Sequence, residues 1–465
     1  MTSTDAAAEA IRELSGRLDP NRVVTSGPAY EATCRIWNGA VASRPAVVVR
    51  CRTQADVQAA VRASRNHDLP LSVRAGGHDW AGRSLRDNGL VIDLTGMRQV
   101  TVDAEARVAT VGGGATATDV VAAGAVHGLA AVTGNVGSVG MAGLTLGGGY
   151  GPLSGRFGLA ADNLLGAELV LADGRLVTVD EDHEPELFWA LRGGGGNFGV
   201  VTSMRLRLHA LDRLLGGLIV YPWEQATKVL EQADQILAVA PDELTVQVGV
   251  LTNRDGRRAV FVTPTWSGEP AAGEAYVDEL QRLGDPVMAV MGPMAYGELL
   301  RLNDFLGEIT GNHYAARTRT MARLTSDVIA VLTEAGDAFT TPLSLIPIHH
   351  FHGAATRIPV ENTAFGVRED HHMAEIVAIW EPGDGLPHKA WADSVADALA
   401  PHSLPGGYPN MLGPDDHAQN AEAYGPNTAR LLAAKARFDP DGVFSATALP
   451  PSTTGTTERS PRRSG

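Results

Sequence analysis

Two glycine-rich stretches constrain this chain more than any other feature of its sequence. The first is SVRAGGHDWAGRS, residues 72–84, in which a histidine follows two glycines directly after an apolar run. The second is GNVGSVGMAGLTLGGGYGPLSGRFG, residues 134–158, in which apolar residues recur between the glycines. Glycines at this density allow positive φ angles or a close approach of backbone to a ligand. The N–H groups of such loops suit a large, flat ligand that carries a pyrophosphate.

The net charge, the N-terminal residues and the cysteine count argue against a nucleic-acid-binding, membrane-spanning or disulfide-rich secreted protein. A net charge of −15 without a basic patch argues against a nucleic-acid partner or an anionic membrane surface. Residues 1–18 lack the basic start and apolar core of a signal peptide, and no apolar run reaches the ~18 residues that span a bilayer. With only two cysteines, Cys34 and Cys51, a disulfide framework is not expected. We therefore expect a cytoplasmic enzyme or binding protein.

The pattern of apolar residues predicts an α+β protein with at least two domains. Residues 46–75 read as strand, helix and strand, and the helix begins at a Thr53–Asp56 capping box. A hairpin is predicted at Asp173-Gly174. From about residue 208 to 404, glycine thins out and helices alternate with strands, which predicts a second domain with an antiparallel sheet covered by helices.

Three common nucleotide and hydrolase signals are absent from the sequence. The stretch GNVGSVG does not follow a strand and open a helix with an acidic residue about 20 positions later, so it lacks the context of a dinucleotide fingerprint. The sequence contains no Walker lysine motif and no Gly-x-Ser-x-Gly elbow. Phosphoryl transfer and serine hydrolysis are therefore not favoured.

Five motifs in order resemble the FAD-linked oxidases of the berberine bridge enzyme-like group, in the p-cresol methylhydroxylase and vanillyl-alcohol oxidase superfamily. They are SVRAGGHDWAGRS, GSVGMAGLTLGGGYG, GGGGNFGVV, GGYPNMLG and AKARFDPDGVF. The resemblance implies a two-part FAD-binding domain over residues 1–207 and a substrate domain over 208–404. It also implies a segment over 405–448 that returns to the FAD domain, and we expect residues 449–465 to be a disordered tail.

The resemblance also implies the cofactor contacts. The histidine of Arg-x-Gly-Gly-His bonds covalently to FAD in this family, so His78 is the expected attachment point. Many relatives attach FAD a second time through a cysteine, but the aligned position here is Val136, which predicts a single attachment. The full set of expected FAD contacts is Arg74, Ala75, Gly76, Gly77, His78, Asp79, Gly82, Ser84, Val136, Gly137, Ser138, Gly140, Gly143, Leu144, Gly149, Tyr150, Val200, Tyr408 and Asn410.

The sequence offers several candidates for the catalytic base. The family commonly has Tyr-x-Asn-Tyr where this chain has Tyr408-Pro-Asn-Met411, and a methionine thioether cannot serve as a base. Strand parity places His350 and His352 on one face and His349 with Phe351 on the other. If one of these faces lines the cleft, a histidine is a suitable base. We take His350, His352 and Glu375 as the candidates, and we expect no metal.

The function implied by the resemblance is an FAD-dependent oxidase. A small organic substrate, expected to be a secondary metabolite, would give a hydride to the flavin, and O₂ would reoxidise the flavin to yield H₂O₂. Two alternatives remain open: a flavin-dependent oxygenase or rearrangement enzyme in antibiotic biosynthesis, and a resistance protein that sequesters a drug. The sequence does not identify the substrate or the oligomeric state.

Overall fold

The computed structural model describes residues 3–253, 255–304 and 308–451 of the 465-residue chain. The predicted disordered tail lies outside the described residues from residue 452 onward. Among the helices that are described, none has both the length and the apolar character needed to cross a bilayer.

The N-terminal part begins with a small sheet in the order β1-β2-β4-β3. Its strands are β1 (Val23–Val24), β2 (Val47–Arg50), β3 (Leu71–Arg74) and β4 (Leu90–Asp93), and its helices are α1 (Ser3–Ser15), α2 (Gly27–Cys34) and α3 (Gln54–Asn66). Strand β4 pairs in parallel with both β2 and β3. The predicted strand–helix–strand unit and its Thr53–Asp56 capping box are confirmed.

A five-stranded antiparallel sheet in the order β5-β6-β10-β8-β9 forms the next layer. Its strands are β5 (Val100–Asp103), β6 (Val108–Gly112), β8 (Leu164–Val170), β9 (Leu176–Val179) and β10 (Val200–Arg207), and β7 (Leu129–Ala130) pairs separately with β11 (His209–Ala210). The helices here are α4 (Ala117–Ala125), α5 (Met141–Leu146), α6 (Ser154–Phe157) and α7 (Pro185–Leu191). The hairpin predicted at Asp173-Gly174 is confirmed, because β8 and β9 pair across it.

The largest sheet has seven antiparallel strands in the order β15-β12-β14-β13-β17-β18-β16. The strands are β12 (Leu214–Pro222), β13 (Leu244–Thr252), β14 (Arg258–Trp266), β15 (Met288–Met294), β16 (His313–Met321), β17 (Leu345–Phe351) and β18 (His371–Trp380). Helices α8 (Ala226–Leu237), α9 (Pro270–Gln281), α11 (Ser326–Asp337) and α12 (Leu386–Leu399) cover one face, where they share an apolar core with the sheet. Helix α10 (Tyr296–Arg301) packs on the N-terminal part.

The C-terminal segment contains α13 (His417–Glu422) and α14 (Thr428–Phe438), which ends before Asp439. Lys435 donates hydrogen bonds to the carbonyl groups of Asn197 and Phe444, and Tyr424 lies in the core of the N-terminal part. The α+β class with a helix-covered antiparallel sheet is confirmed. The exact domain boundaries at residues 207, 404 and 448 stay a prediction.

Candidate active site

A cleft with a cavity volume of about 380 Å³ lies between the glycine-rich loops and the uncovered face of the seven-stranded sheet. Most of the residues predicted to contact FAD line it: Ala75, Gly76, Gly77, His78, Asp79, Ser84, Val136, Gly140, Gly143, Leu144, Tyr150, Val200, Tyr408 and Asn410. The two glycine-rich stretches, about 60 residues apart in the sequence, therefore form one wall.

Five of the predicted contacts do not line the cleft: Arg74, Gly82, Gly137, Ser138 and Gly149. Arg74 is buried, with its guanidinium 3.6 Å from the carboxylate of Asp93. The Ser138 hydroxyl lies 3.0 Å from Nε2 of His78, and the backbone N–H of Gly149 donates to the Tyr408 hydroxyl. Ser138 and Gly149 therefore each contact a residue that lines the cleft.

Glycine is required where the two loops meet. A Cβ on Gly76 would collide with the backbone nitrogen of Gly140, so the loops touch backbone to backbone. At Gly143 the opposite holds, since a Cβ there would meet no protein atom within 4 Å and would project into open space. The result is a cradle of bare backbone that a flat ligand can approach closely.

His78 presents a neutral imidazole to the cleft. Burial, with a further contribution from the positive charge of Arg74, lowers the pKa of His78 to about 4. The Trp37 ring stacks beside it with a centroid distance of 5.9 Å. A neutral imidazole keeps a lone pair, so at neutral pH His78 can act as a nucleophile.

The opposite wall comes from alternate residues of the sheet. Leu345, Pro347 and His349 of β17 line the cleft, as do Glu375, Val377 and Ile379 of β18. Gln247 of β13 lies directly opposite His349 in the strand register. Side chains alternate between the two faces of a strand. The otherwise apolar wall therefore contains one polar row, which consists of Gln247, His349 and Glu375.

His349 and Glu375 lie in close contact in that polar row. Nε2 of His349 lies 3.2 Å from the Glu375 carboxylate, and the Asn135 side-chain nitrogen donates to Nδ1 of His349 at 3.2 Å. The Gln247 amide nitrogen also lies 3.2 Å from Nε2 of His349, so the imidazole contacts Asn135, Gln247 and Glu375. The carboxyl group of Glu375 therefore faces the cleft beside an imidazole.

The structure does not bring His350 and His352 to the cleft, so their assignment as candidate bases is corrected. Neither histidine lines the cleft: His350 shares the helix-covered face with Ile348, and the His352 ring lies against Gly155 of α6. The two rings stack with a centroid distance of 4.0 Å. Parity predicts which side chains share a face, but it does not say which face meets the cofactor loops. His349, which was placed on the other face, is the histidine of the cleft.

The Tyr408–Asn410 motif closes one end of the cleft. Asn410 donates from its side-chain nitrogen to the Gly143 carbonyl and to the Tyr408 hydroxyl, each at 3.1 Å. Burial raises the pKa of Tyr408 to about 12, so this phenol stays protonated at neutral pH. Met411 also lines the cleft, and its backbone carbonyl accepts a hydrogen bond from the Trp80 indole.

Several residues of the cleft were not singled out from the sequence: Trp37, Arg83, Gln247 and residues 444–447. Trp37 stacks on Tyr314 at a centroid distance of 3.8 Å, which joins an N-terminal loop to the edge of the large sheet. No local pattern reports such a long-range contact. Within the described part of the chain, no cluster of three or more His, Cys, Asp or Glu residues is arranged to hold a metal ion.

Comparisons with known proteins agree with this geometry. A model described as an FAD binding domain matches residues 45–180, and one described as berberine and berberine like matches residues 407–448. The chain is 30% identical over 446 residues to the FAD-linked oxidoreductase aurO of Gibberella zeae, covering 94% of this chain and 86% of that protein. It is 38% identical over 283 residues to (R)-6-hydroxynicotine oxidase of Paenarthrobacter nicotinovorans, covering 60% and 61% respectively.

A solved structure supports the same assignment. That of 6-hydroxy-D-nicotine oxidase from Arthrobacter nicotinovorans superposes with a TM-score of 0.84 at 30% identity, covering 92% of this chain and 96% of that one. The backbone cradle at Gly76, Gly140 and Gly143 fits a flat, pyrophosphate-bearing group, and so the residues present suit FAD. The chain belongs to the berberine and berberine-like family of FAD-linked oxidoreductases.

Proposed function

We propose that the protein is an oxidase that takes a hydride and a proton from a small organic substrate and passes the two electrons to O₂, which leaves as H₂O₂. The observation that carries this proposal is the His349–Glu375 pair, a polar group facing the FAD loops across an apolar cleft. When FAD is bound, it supplies the hydride-accepting chemistry. The protein then has to hold the substrate, exclude water and accept the proton.

Glu375 is the proton acceptor in this proposal, and His349 is its positioning residue. Nε2 of His349 lies 3.2 Å from one carboxylate oxygen, which leaves the second available to a hydroxyl or amine of the substrate. The proton moves from that group to Glu375 as the carbon–hydrogen bond breaks. This role does not require a tyrosine at position 411.

We also propose that His78 is the single covalent attachment point of FAD. Its imidazole is neutral and lines the cleft, and the Ser138 hydroxyl lies 3.0 Å from Nε2. Position 136 is a valine, and the two cysteines pack in apolar clusters elsewhere: Cys51 in the core beside β2 and Cys34 beside Tyr30. Neither of these thiols lines the cleft. No second attachment is expected.

The walls of the cleft favour an apolar substrate with one hydrogen-bonding group. Leu345, Pro347, Val377 and Ile379 present aliphatic surface around Glu375, and the indole of Trp37 adds an aromatic face. The relative named for hydroxynicotine oxidation is a reason to test amines first. A secondary metabolite remains our proposal for the natural substrate.

The attachment is tested by acid precipitation of the purified protein. We expect the yellow colour to stay with the pellet and the tryptic peptide containing His78 to gain the mass of one FAD. The variant His78→Ala should release its flavin into the supernatant. Flavin in the wild-type supernatant would refute the covalent link without affecting the FAD-binding assignment.

The reaction type is tested by screening amines, alcohols and reducing sugars for flavin bleaching without air and for peroxide release in air. Peroxide equal to the O₂ consumed supports the oxidase, whereas labelled oxygen in the product identifies an oxygenase. Tight binding of a candidate drug without turnover identifies sequestration. Glu375→Gln should slow bleaching at least ~100-fold, as expected for loss of a general base, while His350→Gln on the other face of the sheet serves as the matched control.

A further inference from the structure

Strand β15 forms one edge of the seven-stranded sheet and exposes apolar side chains to solvent. It pairs on its inner side with β12 from Met288 to Met294. Val287 is 62% exposed, Met288 42% and Val290 56%. Three of the most exposed large apolar side chains in the described chain therefore fall within four consecutive residues, whereas isolated exposed apolar residues are ordinary.

The opposite edge of the same sheet is covered by other parts of the chain. On β16, the backbone N–H of Tyr314 donates to the Asn38 side chain, and the carbonyl of Thr320 accepts from the backbone N–H of Leu404. The Thr318 carbonyl accepts from the Gln419 side chain. This edge therefore has partners for its backbone groups, which is the usual protection of an edge strand.

Strand β15 has no comparable cover within the described residues. Apart from its ladder with β12, the hydrogen bond that reaches its backbone comes from Arg213, which donates to the Pro293 carbonyl at one end of the strand. The stretch from Met288 to Gly292 keeps its outward backbone groups available. An uncovered row of N–H and C=O groups beside apolar side chains is a template for another strand.

Charge identifies the kind of partner. The chain carries a net charge of −15, so most of its surface repels a second copy of itself. Residues 286–297 contain no charged side chain, and the flanking charges on both sides are acidic, Asp285 and Glu298. An uncharged strand is where two copies can approach closely without repulsion, and antiparallel pairing of a strand with itself satisfies the same groups on both copies.

We propose that β15 is a self-association surface, through which two copies of this chain pair antiparallel and join their sheets into one. The partner is a second copy, held by backbone hydrogen bonds along Met288–Gly292 and by the burial of Met288 and Val290. A contact of this kind is isologous, since each residue on one copy meets the same strand on the other. It is independent of the proposed reaction.

The test is the mass of the full-length holoprotein in solution, measured by light scattering after size exclusion and by sedimentation velocity at about 50 µM, above the micromolar range of weak interfaces. We expect twice the 48.8 kDa chain mass for the wild type. Val290→Lys should give the monomer mass, because it places two like charges at the centre of the pairing. Val239→Lys, at a position 78% exposed after helix α8, is the matched control and should stay dimeric.

Three results would overturn the proposal: a monomeric wild type, a dimeric Val290→Lys variant, or dissociation of the control to the same extent. Flavin absorbance and the thermal unfolding midpoint are measured on every variant. Because both valines are exposed, we expect these two values to match the wild type, so a change in mass reports the interface rather than misfolding.

Discussion

Buried histidines behind the cleft are expected to make the protein labile in mild acid. Burial lowers the pKa of His352 and of His371 to about 4 and that of His372 to about 3. The neighbouring His350 lowers all three pKa values further, and the carboxylates of Asp234 and Asp370 oppose this only in part. In the unfolded chain, each histidine takes up its proton near pH 6.5.

The sign of the effect follows from these pKa values. Folded-state pKa values below the unfolded value mean that the unfolded chain binds protons first, so the free energy of unfolding is greatest above about pH 6.5 and falls below it. Between about pH 6.5 and about pH 5, which is about 1.5 pH units, the unfolded chain binds the proton of each such histidine and the folded chain does not. Each histidine therefore lowers the free energy of unfolding at about pH 5 by about 2 kcal/mol. Three histidines give an upper limit of about 6 kcal/mol, comparable with the whole stability of many domains.

The assay is urea unfolding at about pH 7 and about pH 5, followed by tryptophan fluorescence. We expect a drop of several kcal/mol in the wild type and a drop smaller by about 2 kcal/mol in His352→Gln, which removes one of the contributing histidines. His127→Gln, at an exposed position, is the control and should behave as the wild type does. Equal unfolding free energies at the two pH values, or an unchanged drop in His352→Gln, would refute the reasoning.

Two further predictions concern the cleft and its support. Because a Cβ at Gly143 meets no protein atom within 4 Å, Gly143→Leu should fold normally yet fill the cradle; flavin absorbance per protein should fall at least ~10-fold, and a normal flavin content would contradict the placement of FAD. Asp162 and Arg368 form a buried ion pair in which each side chain is 5% exposed. Asp162→Asn leaves a buried guanidinium without its counter-charge and should cost about 3–5 kcal/mol in urea unfolding, and a loss below about 1 kcal/mol would show that the pair is solvated.

The parts of the fold that follow local rules were predictable from the sequence. The Thr53–Asp56 capping box and the Asp173-Gly174 turn depend on side chains a few residues apart, and both were found. The order of strands in the large sheet was not predictable in this way. It pairs β12 with β15 and β17 with β18 across long insertions, and such pairings are decided by packing rather than by local propensity.

The candidate site shows the same division between local and long-range information. The glycine-rich stretches indicated the loop of His78 and the cradle, because a backbone that approaches a ligand closely needs glycine. For the histidines of β17, the sequence indicates only which of them share a face of the strand. The choice between His349 and His350 depends on which face the FAD loops cover. No local sequence pattern predicts the place of Trp37 in the cleft, because that place depends on stacking with Tyr314, which is far away in the sequence.

In the proposed mechanism Met411 supplies no proton acceptor, and that group lies on the sheet instead. Its backbone carbonyl accepts a hydrogen bond from Trp80, so this residue keeps a structural role that any side chain allows. The acidic group then comes from β18, and its partner His349 comes from β17, on strands that carry no cofactor loop. The proposed attachment of FAD and the proposed proton removal therefore fall on separate elements. Substitutions at Glu375 should change turnover while the flavin content stays constant, whereas substitutions at Gly143 should lower the flavin content and leave turnover per bound flavin unchanged.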